Sequence, residues 1–224
     1  MARIARLVVP GLAHHVTQRG NRREQVFFNA DDYRAYLDLM KAYLSKSGTR
    51  LLAWCLMPNH VHLLAVPDGQ DGLRALLGEV HRRYTARVNA RNGWTGHLWQ
   101  GRFGSVVMEE DHLVHAVRYV CLNPVRAKLV ARAEDWPWAS TRAHLTGRDD
   151  GLTDLVPVRE RFADFADLLG GEEDEAAVAA LRRSEKTGRP LGSATWLAGL
   201  EATTGRVLAR RKPGPRPKSS KLSP

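Results

Sequence analysis

The stretch Met57-Pro58-Asn59-His60-Val61-His62-Leu63-Leu64 holds the side chains of this sequence best suited to chemistry. On a strand alternate side chains share a face, so His60 and His62 project together while Val61 points away. Two imidazoles converging on one point can hold a divalent cation, but such pairs also recur on strands for packing, and a site needs a third ligand and a reactive group. A later helix supplies both. Over residues 109–123, Leu113, Ala116, Val117 and Val120 form its apolar stripe, and Tyr119 lies about 140° from the stripe's centre. Asn123, at i+4, shares the line of Tyr119, so one helix can present a phenol and an amide oxygen to the same place. The plainer alternative is an edge-packed tyrosine and a polar residue ahead of a helix-ending proline, Pro124.

Combined with the histidines, these parts describe one reaction. His60, His62 and the Asn123 oxygen would hold a divalent cation that polarises a phosphodiester, and Tyr119 would attack phosphorus, giving a phosphotyrosine bond and a free 3′-OH. Because that bond is itself a phosphodiester, another 3′-OH can reverse it without ATP, which is strand-transfer chemistry. A phenol ordinarily ionises near pH ~10, so Tyr119 must be activated by its surroundings.

The elements that must position these residues follow from periodicity. A first strand is expected over 12–19, ended by Gly20-Asn21, and Asn29 caps a helix carrying Tyr33, Tyr36, Leu37, Met40 and Leu44. Residues 50–57 form a strand that pairs through the Pro58-Asn59 turn with the histidine strand. Asp71–Asn92 reads as a long helix with Arg83, Arg87 and Arg91 stacked four apart, a line that either tracks a phosphate backbone or is simply solvated. A strand follows within 97–107, then the helix of Tyr119, taken to end at Asn123. Strand, helix, strand, strand, helix, strand is the βαββαβ order of an α+β ferredoxin-like sandwich, here with an added catalytic helix and a helical and basic C-terminal extension. The organisation expected is a catalytic domain over 1–130, an acidic connecting segment over 131–175, helices within 176–208 and a disordered basic tail over 209–224.

Charge is divided along the chain. The net charge is +10 overall; residues 1–148 and 206–224 are basic and 149–175 strongly acidic, a balance that favours a polyanionic partner, nucleic acid before membrane. The longest apolar run, Leu51–Met57, is too short to span a bilayer, and the expected location is cytoplasmic, associated with the nucleoid. Cys55 and Cys121 lie in apolar segments and read as buried free thiols.

Four stretches together carry a resemblance. His15-Val16-Thr17-Gln18-Arg19-Gly20-Asn21, Met57–Leu63, Leu98-Trp99-Gln100-Gly101-Arg102-Phe103 and Tyr119–Ala127 make the sequence similar to the REP-associated tyrosine transposases, single-tyrosine HUH enzymes of the IS200-like superfamily. The resemblance implies that His60 and His62 are the metal pair, Tyr119 the nucleophile and Asn123 the third ligand. It also implies a Mg²⁺- or Mn²⁺-dependent nickase and strand transferase acting on single-stranded, hairpin-forming DNA, as a monomer or homodimer. Two imidazoles lean toward Mn²⁺, abundance toward Mg²⁺. Arg19, Arg22, Arg23 and Arg102 are further candidate DNA contacts beside the arginine line. Three alternatives stand against this: a domesticated, non-catalytic nucleic-acid-binding protein on the same fold; a phosphoesterase with paired H-x-T motifs, of which only His15-Val16-Thr17 is present; and a zinc hydrolase built on His112 and His115.

Overall fold

The structure, a computed structural model, describes residues 5–162 and 164–208; the basic tail expected over 209–224 lies outside the described residues. Four strands, β1 (His14–Arg19), β2 (Thr49–Met57), β3 (His60–Pro67) and β4 (Gly104–Val107), form one antiparallel sheet in the order β2-β3-β1-β4. The Pro58-Asn59 turn makes β2 and β3 a hairpin, with Met57 opposite His60 and Cys55 opposite His62. β1 pairs with the other side of β3, which puts Thr17 opposite His62 and Arg19 opposite His60. The histidine strand is therefore central and hydrogen-bonded on both sides, as its unbroken apolar run requires.

Two helices cover one face. α1 (Ala30–Leu44) begins where the Asn29 side chain accepts the Asp32 N–H at 3.1 Å, with Asp31 and Asp32 in its first, electropositive turn. α2 (Gly72–Asn92) starts at a glycine that the packing demands, since a Cβ there would meet Thr49 Oγ1 at 2.9 Å. Tyr36, Leu76, Val80 and Tyr84 of these helices pack on Val16, Val61 and Leu63 of the sheet, all fully buried or nearly so. Side chains of this size contribute about 1.5–3 kcal/mol each when fully buried.

The opposite face carries the alternate residues, Cys55, Met57, Leu64 and Val66, against α3 (Leu113–Arg126). This helix runs past the expected stop at Asn123. Pro124 sits inside its last turn, where the missing N–H removes only one of the final hydrogen bonds. The fourth strand is also shorter than expected, beginning at Gly104. Residues 97–103 are instead a loop fastened to the end of β1 by Gln100 N–H donating to Arg19 O and Asn21 N–H to Leu98 O, both 2.8 Å.

The acidic segment clothes the sheet edge. Leu56, Ser140 and Asp154 N–H groups exchange backbone hydrogen bonds across β2 with Trp138, Trp54 and Leu51 carbonyls. α4 (Thr141–Thr146), α5 (Val156–Arg161) and α6 (Phe165–Gly170) follow as short helices. Several of its acids are spent inside the molecule, Asp154 on Arg50, Asp150 on Trp54 and Glu173 on Arg126. α7 (Glu175–Thr187) is capped by Asp174 on the Ala177 N–H and closed by Gly188 at φ +70°; its Val178 and Leu181 join the α3 side of the core. Leu191 N–H then donates to Val107 O, and α8 (Ala194–Thr204) packs Leu200 with Leu7 and Val107. Among the described residues no helix is long and apolar enough to cross a membrane.

One ion pair joins the two helices of the first layer. Asp32 is fully buried, takes the Phe28 N–H at 2.9 Å and is held by both terminal nitrogens of Arg91. Burial pushes the Asp32 carboxyl up, but the hydrogen bonds and charges of Arg91, Phe28 N–H and Arg87 outweigh it and hold it below the usual carboxylate range. Asp32→Asn is expected to destabilise the fold by about 2 kcal/mol, less than a fully buried pair would lose because Arg91 is partly solvated. Since the folded-state pKa is depressed, this contribution is complete above the unfolded value near pH ~4 and disappears as the pH falls through the folded value below it. Denaturant melts of the two chains across that range should show their difference shrinking only on the acid side.

Candidate active site

The site lies on the α3 face, and the sheet register builds it. His15 and Thr17 on β1 and His60 and His62 on β3 share that face. His62 and His15 are buried, and the near-parallel rings (13°, centroids 5.1 Å apart) meet through a 2.9 Å contact between His15 Nε2 and His62 Nδ1. His60, at the strand's start, is half-buried, 4.9 Å from the His62 ring, and its Nδ1 lies 2.6 Å from Asn59 Oδ1. α3 lays Tyr119 across the pair, its ring edge-on to His62 at 5.7 Å and to His15 at 5.9 Å. Asn123 is buried one turn on, and its amide nitrogen has no hydrogen-bond partner among the described residues.

α7 closes the site from the other side. Glu185 Oε1 comes to 3.2 Å from His15 Nδ1 and 4.0 Å from His62 Nδ1, without the alignment of a hydrogen bond. Arg182, one turn earlier, places its guanidinium 5.8 Å from the centre of the Tyr119 ring, and Arg126 places its own at 4.7 Å. Tyr119 is only 6% exposed in consequence.

Electrostatics follow from this enclosure. Burial pushes His15 down to about 3, and burial followed by the Arg19 charge lowers His60 to about 4. His62 is held well below its ordinary value by burial first, then by His60, His15, Arg19 and Arg126. The three imidazoles are therefore neutral at physiological pH, the state with a lone pair to give a metal. Burial raises Glu185 to about 7 against the charges of Arg19, Arg182 and Lys186. Tyr119 is raised by burial and by Glu185, with Arg182 and Arg126 acting in the opposite direction. The neutral imidazoles of His60 and His62 with the buried Asn123 amide are a donor set that fits a divalent cation. Among the described residues, His15, His62 and Glu185 form the one group of three or more histidine, cysteine or acidic side chains close enough to share an ion, with ligand atoms within 4.8 Å of one another. His112 and His115, at the start of α3, belong to no such group.

The arginines divide. Arg19 is exposed at the end of β1 beside His60, and Arg22 and Arg23 follow in a tight turn at φ +52° and +66°. Arg102 is exposed in the 97–103 loop. The helical line is not brought to the site: α2 packs on the opposite face of the sheet from Tyr119, Arg91 is engaged by Asp32, and Arg83 donates to Glu79 at 3.1 Å. Sequence reasoning missed Arg182 and Glu185. The signal for Glu185 was its place one turn beyond Leu181 and two beyond Val178, an acid on an apolar stripe.

Comparison with known proteins places this geometry in context. Residues 8–123 match the family described as "Transposase IS200 like". The REP-associated tyrosine transposase of Escherichia coli K12 is 26% identical over 121 residues, which cover 54% of this chain and 67% of that protein. A Haemophilus influenzae protein provisionally given the same name is 26% identical over 100 residues, covering 40% of this chain and 57% of its own length. A solved structure of a REP-associated tyrosine transposase bound to a REP hairpin shares the fold, with a TM-score of 0.56 and 22% identity over 69% of this chain and 90% of that one.

Proposed function

The chain belongs to the IS200-like transposase family, whose match spans residues 8–123, and on that premise we propose that it cleaves and rejoins single-stranded DNA at hairpin-forming repeats through Tyr119. The observation that carries this reading is the meeting of Tyr119 with His62, a phenol on α3 edge-on to a neutral imidazole on the central strand. Histidine packing alone does not call for a phenol and a buried, unpartnered amide on the facing helix.

Tyr119 Oη attacks the phosphorus of the scissile phosphodiester. The O–P bond to tyrosine forms, the bond to the 3′ oxygen breaks, the phenolic proton passes to solvent or a nearby base, and the 3′ oxygen takes a proton as it leaves. Arg126 and Arg182 flank the ring and stabilise its anionic form against the burial that opposes it. His62, with His60 on the same strand face and Asn123 one turn from the nucleophile, would hold the Mg²⁺ or Mn²⁺ ion. Bound there, such an ion would supply Lewis-acid polarisation of the phosphate and charge stabilisation for the leaving oxygen. Arg19, Arg22, Arg23 and Arg102 lie on loops and strand ends around the sheet's β1 end, suited to phosphates of a hairpin foot.

The relative bound to a REP hairpin suggests the substrate for the test. Full-length protein incubated with a single-stranded hairpin oligonucleotide from repeats flanking its gene, with Mn²⁺ or Mg²⁺, is expected to yield a protein–DNA adduct that survives denaturant. Wild-type protein that forms none on any such repeat would sink the proposal.

A further inference from the structure

We infer that Glu185, carried on α7 outside the segment that defines the family, is a positioning residue that fixes the tautomer of His62 through His15 and leaves His62 Nε2 free to bind the metal. The inference rests on the proposed metal role of His62. His15 Nε2 and His62 Nδ1 stand 2.9 Å apart. Two nitrogen lone pairs cannot face each other at that distance, so one proton lies between them, and two arrangements are possible for neutral rings. With the proton on His15 Nε2, His15 Nδ1 bears a lone pair and His62 carries its proton on Nε2, where it cannot ligate. With the proton on His62 Nδ1, His62 Nε2 bears the lone pair and His15 carries its proton on Nδ1.

Glu185 chooses between them. Its Oε1 stands 3.2 Å from His15 Nδ1, the atom whose state differs. When ionised, as at mildly alkaline pH, a carboxylate at that range is repelled by a lone pair and attracted by an N–H, even where the contact is too bent to be a hydrogen bond. The second arrangement wins, and His62 presents Nε2. The alternative, an ion shared directly by the three side chains, conflicts with the same contact. An ion on His15 Nδ1 forces the first arrangement, and His62, its Nδ1 lone pair committed to His15 and its Nε2 protonated, could not then join it. Carboxylates commonly set the orientation and tautomer of metal-binding histidines in this way. α7 is held in place for the task by its Asp174 cap, by Val178 and Leu181 in the core, and by the Glu173–Arg126 ion pair just before it.

The test uses full-length protein with ¹⁵N-labelled histidine at mildly alkaline pH, His62 being assigned by comparison with His62→Ala. Long-range ¹H–¹⁵N spectra of the metal-free protein should show His62 as the single Nδ1–H tautomer. Glu185→Ala should give mixed tautomers and lower Mn²⁺ affinity, measured by electron paramagnetic resonance, by about 10–100-fold, with Glu185→Asp recovering part of both. If Glu185→Ala does not fold, Glu185→Gln serves, since an amide can donate or accept at His15 Nδ1 and no longer sets the direction. A wild-type His62 protonated on Nε2, or a Glu185 variant whose tautomer or Mn²⁺ affinity is unchanged, overturns the inference. So does tighter Mn²⁺ binding on loss of Glu185. These readouts need no DNA, so an inactive protein that passes them would refute the cleavage proposal and leave this inference standing.

Discussion

Tyr119→Phe is expected to abolish the covalent protein–DNA adduct, lowering cleavage by on the order of 10⁴-fold or more, while hairpin binding stays within about threefold of wild type. The substitution removes one oxygen and little else. The phenyl ring keeps its edge-on contacts with His62 and His15 and remains under the Arg126 guanidinium. Losing the interaction of the hydroxyl with Arg182 should cost no more than about 1 kcal/mol of stability. A structural tyrosine and a nucleophilic one therefore diverge sharply in this variant. Denaturing gels of the adduct, read beside fluorescence anisotropy with a labelled hairpin, separate the two. Adduct formation by Tyr119→Phe at the wild-type level would show that another group carries the bond and that the proposed mechanism is wrong.

How much of this site could be read before folding depended on how local its signals are. The H-x-H spacing and the Pro58-Asn59 turn each act within a few residues, so the hairpin and the shared face of His60 and His62 were legible, as was the i+4 pairing of Tyr119 with Asn123. The βαββαβ order then supplied the sheet, and the observed order β2-β3-β1-β4 follows from it. What was not legible depends on partners distant in sequence. The arginine line of α2 looked free because Asp32, which takes Arg91, lies 59 positions earlier. Nothing in the periodicity of α2 shows which side of the sheet it covers. Glu185 meets His15 only because the chain returns past β4 after a long excursion along the β2 edge. The run 97–103 has a strand's composition, yet its backbone groups bond to the end of β1 as a loop. The helix of Tyr119 outlasts its proline because one missing N–H near a C-terminus costs far less than in a helix interior.

His62→Ala should separate catalysis from DNA binding. His62 is 3% exposed, central in the sheet, and carries no charge at neutral pH. The candidate phosphate contacts Arg19, Arg22, Arg23 and Arg102 are exposed around it and keep their charge when it is removed. Cleavage and Mn²⁺ binding are therefore expected to fall by more than about a hundredfold, beyond the loss typical of a residue that only supports a ligand, with hairpin affinity changed by less than about threefold. The variant will also be less stable. It deletes a buried ring and strips His15 Nε2 of its partner, which together should cost about 2–4 kcal/mol. His62→Gln fills more of the space and controls for that loss. A folded variant that loses hairpin binding as fully as cleavage would mark His62 as a structural histidine. A folded variant that cleaves normally would remove the metal role from it altogether. If only cleavage and metal binding are lost, then the imidazole on the central strand and the phenol laid across it act as one site, and the basic rim serves to bring the strand to it.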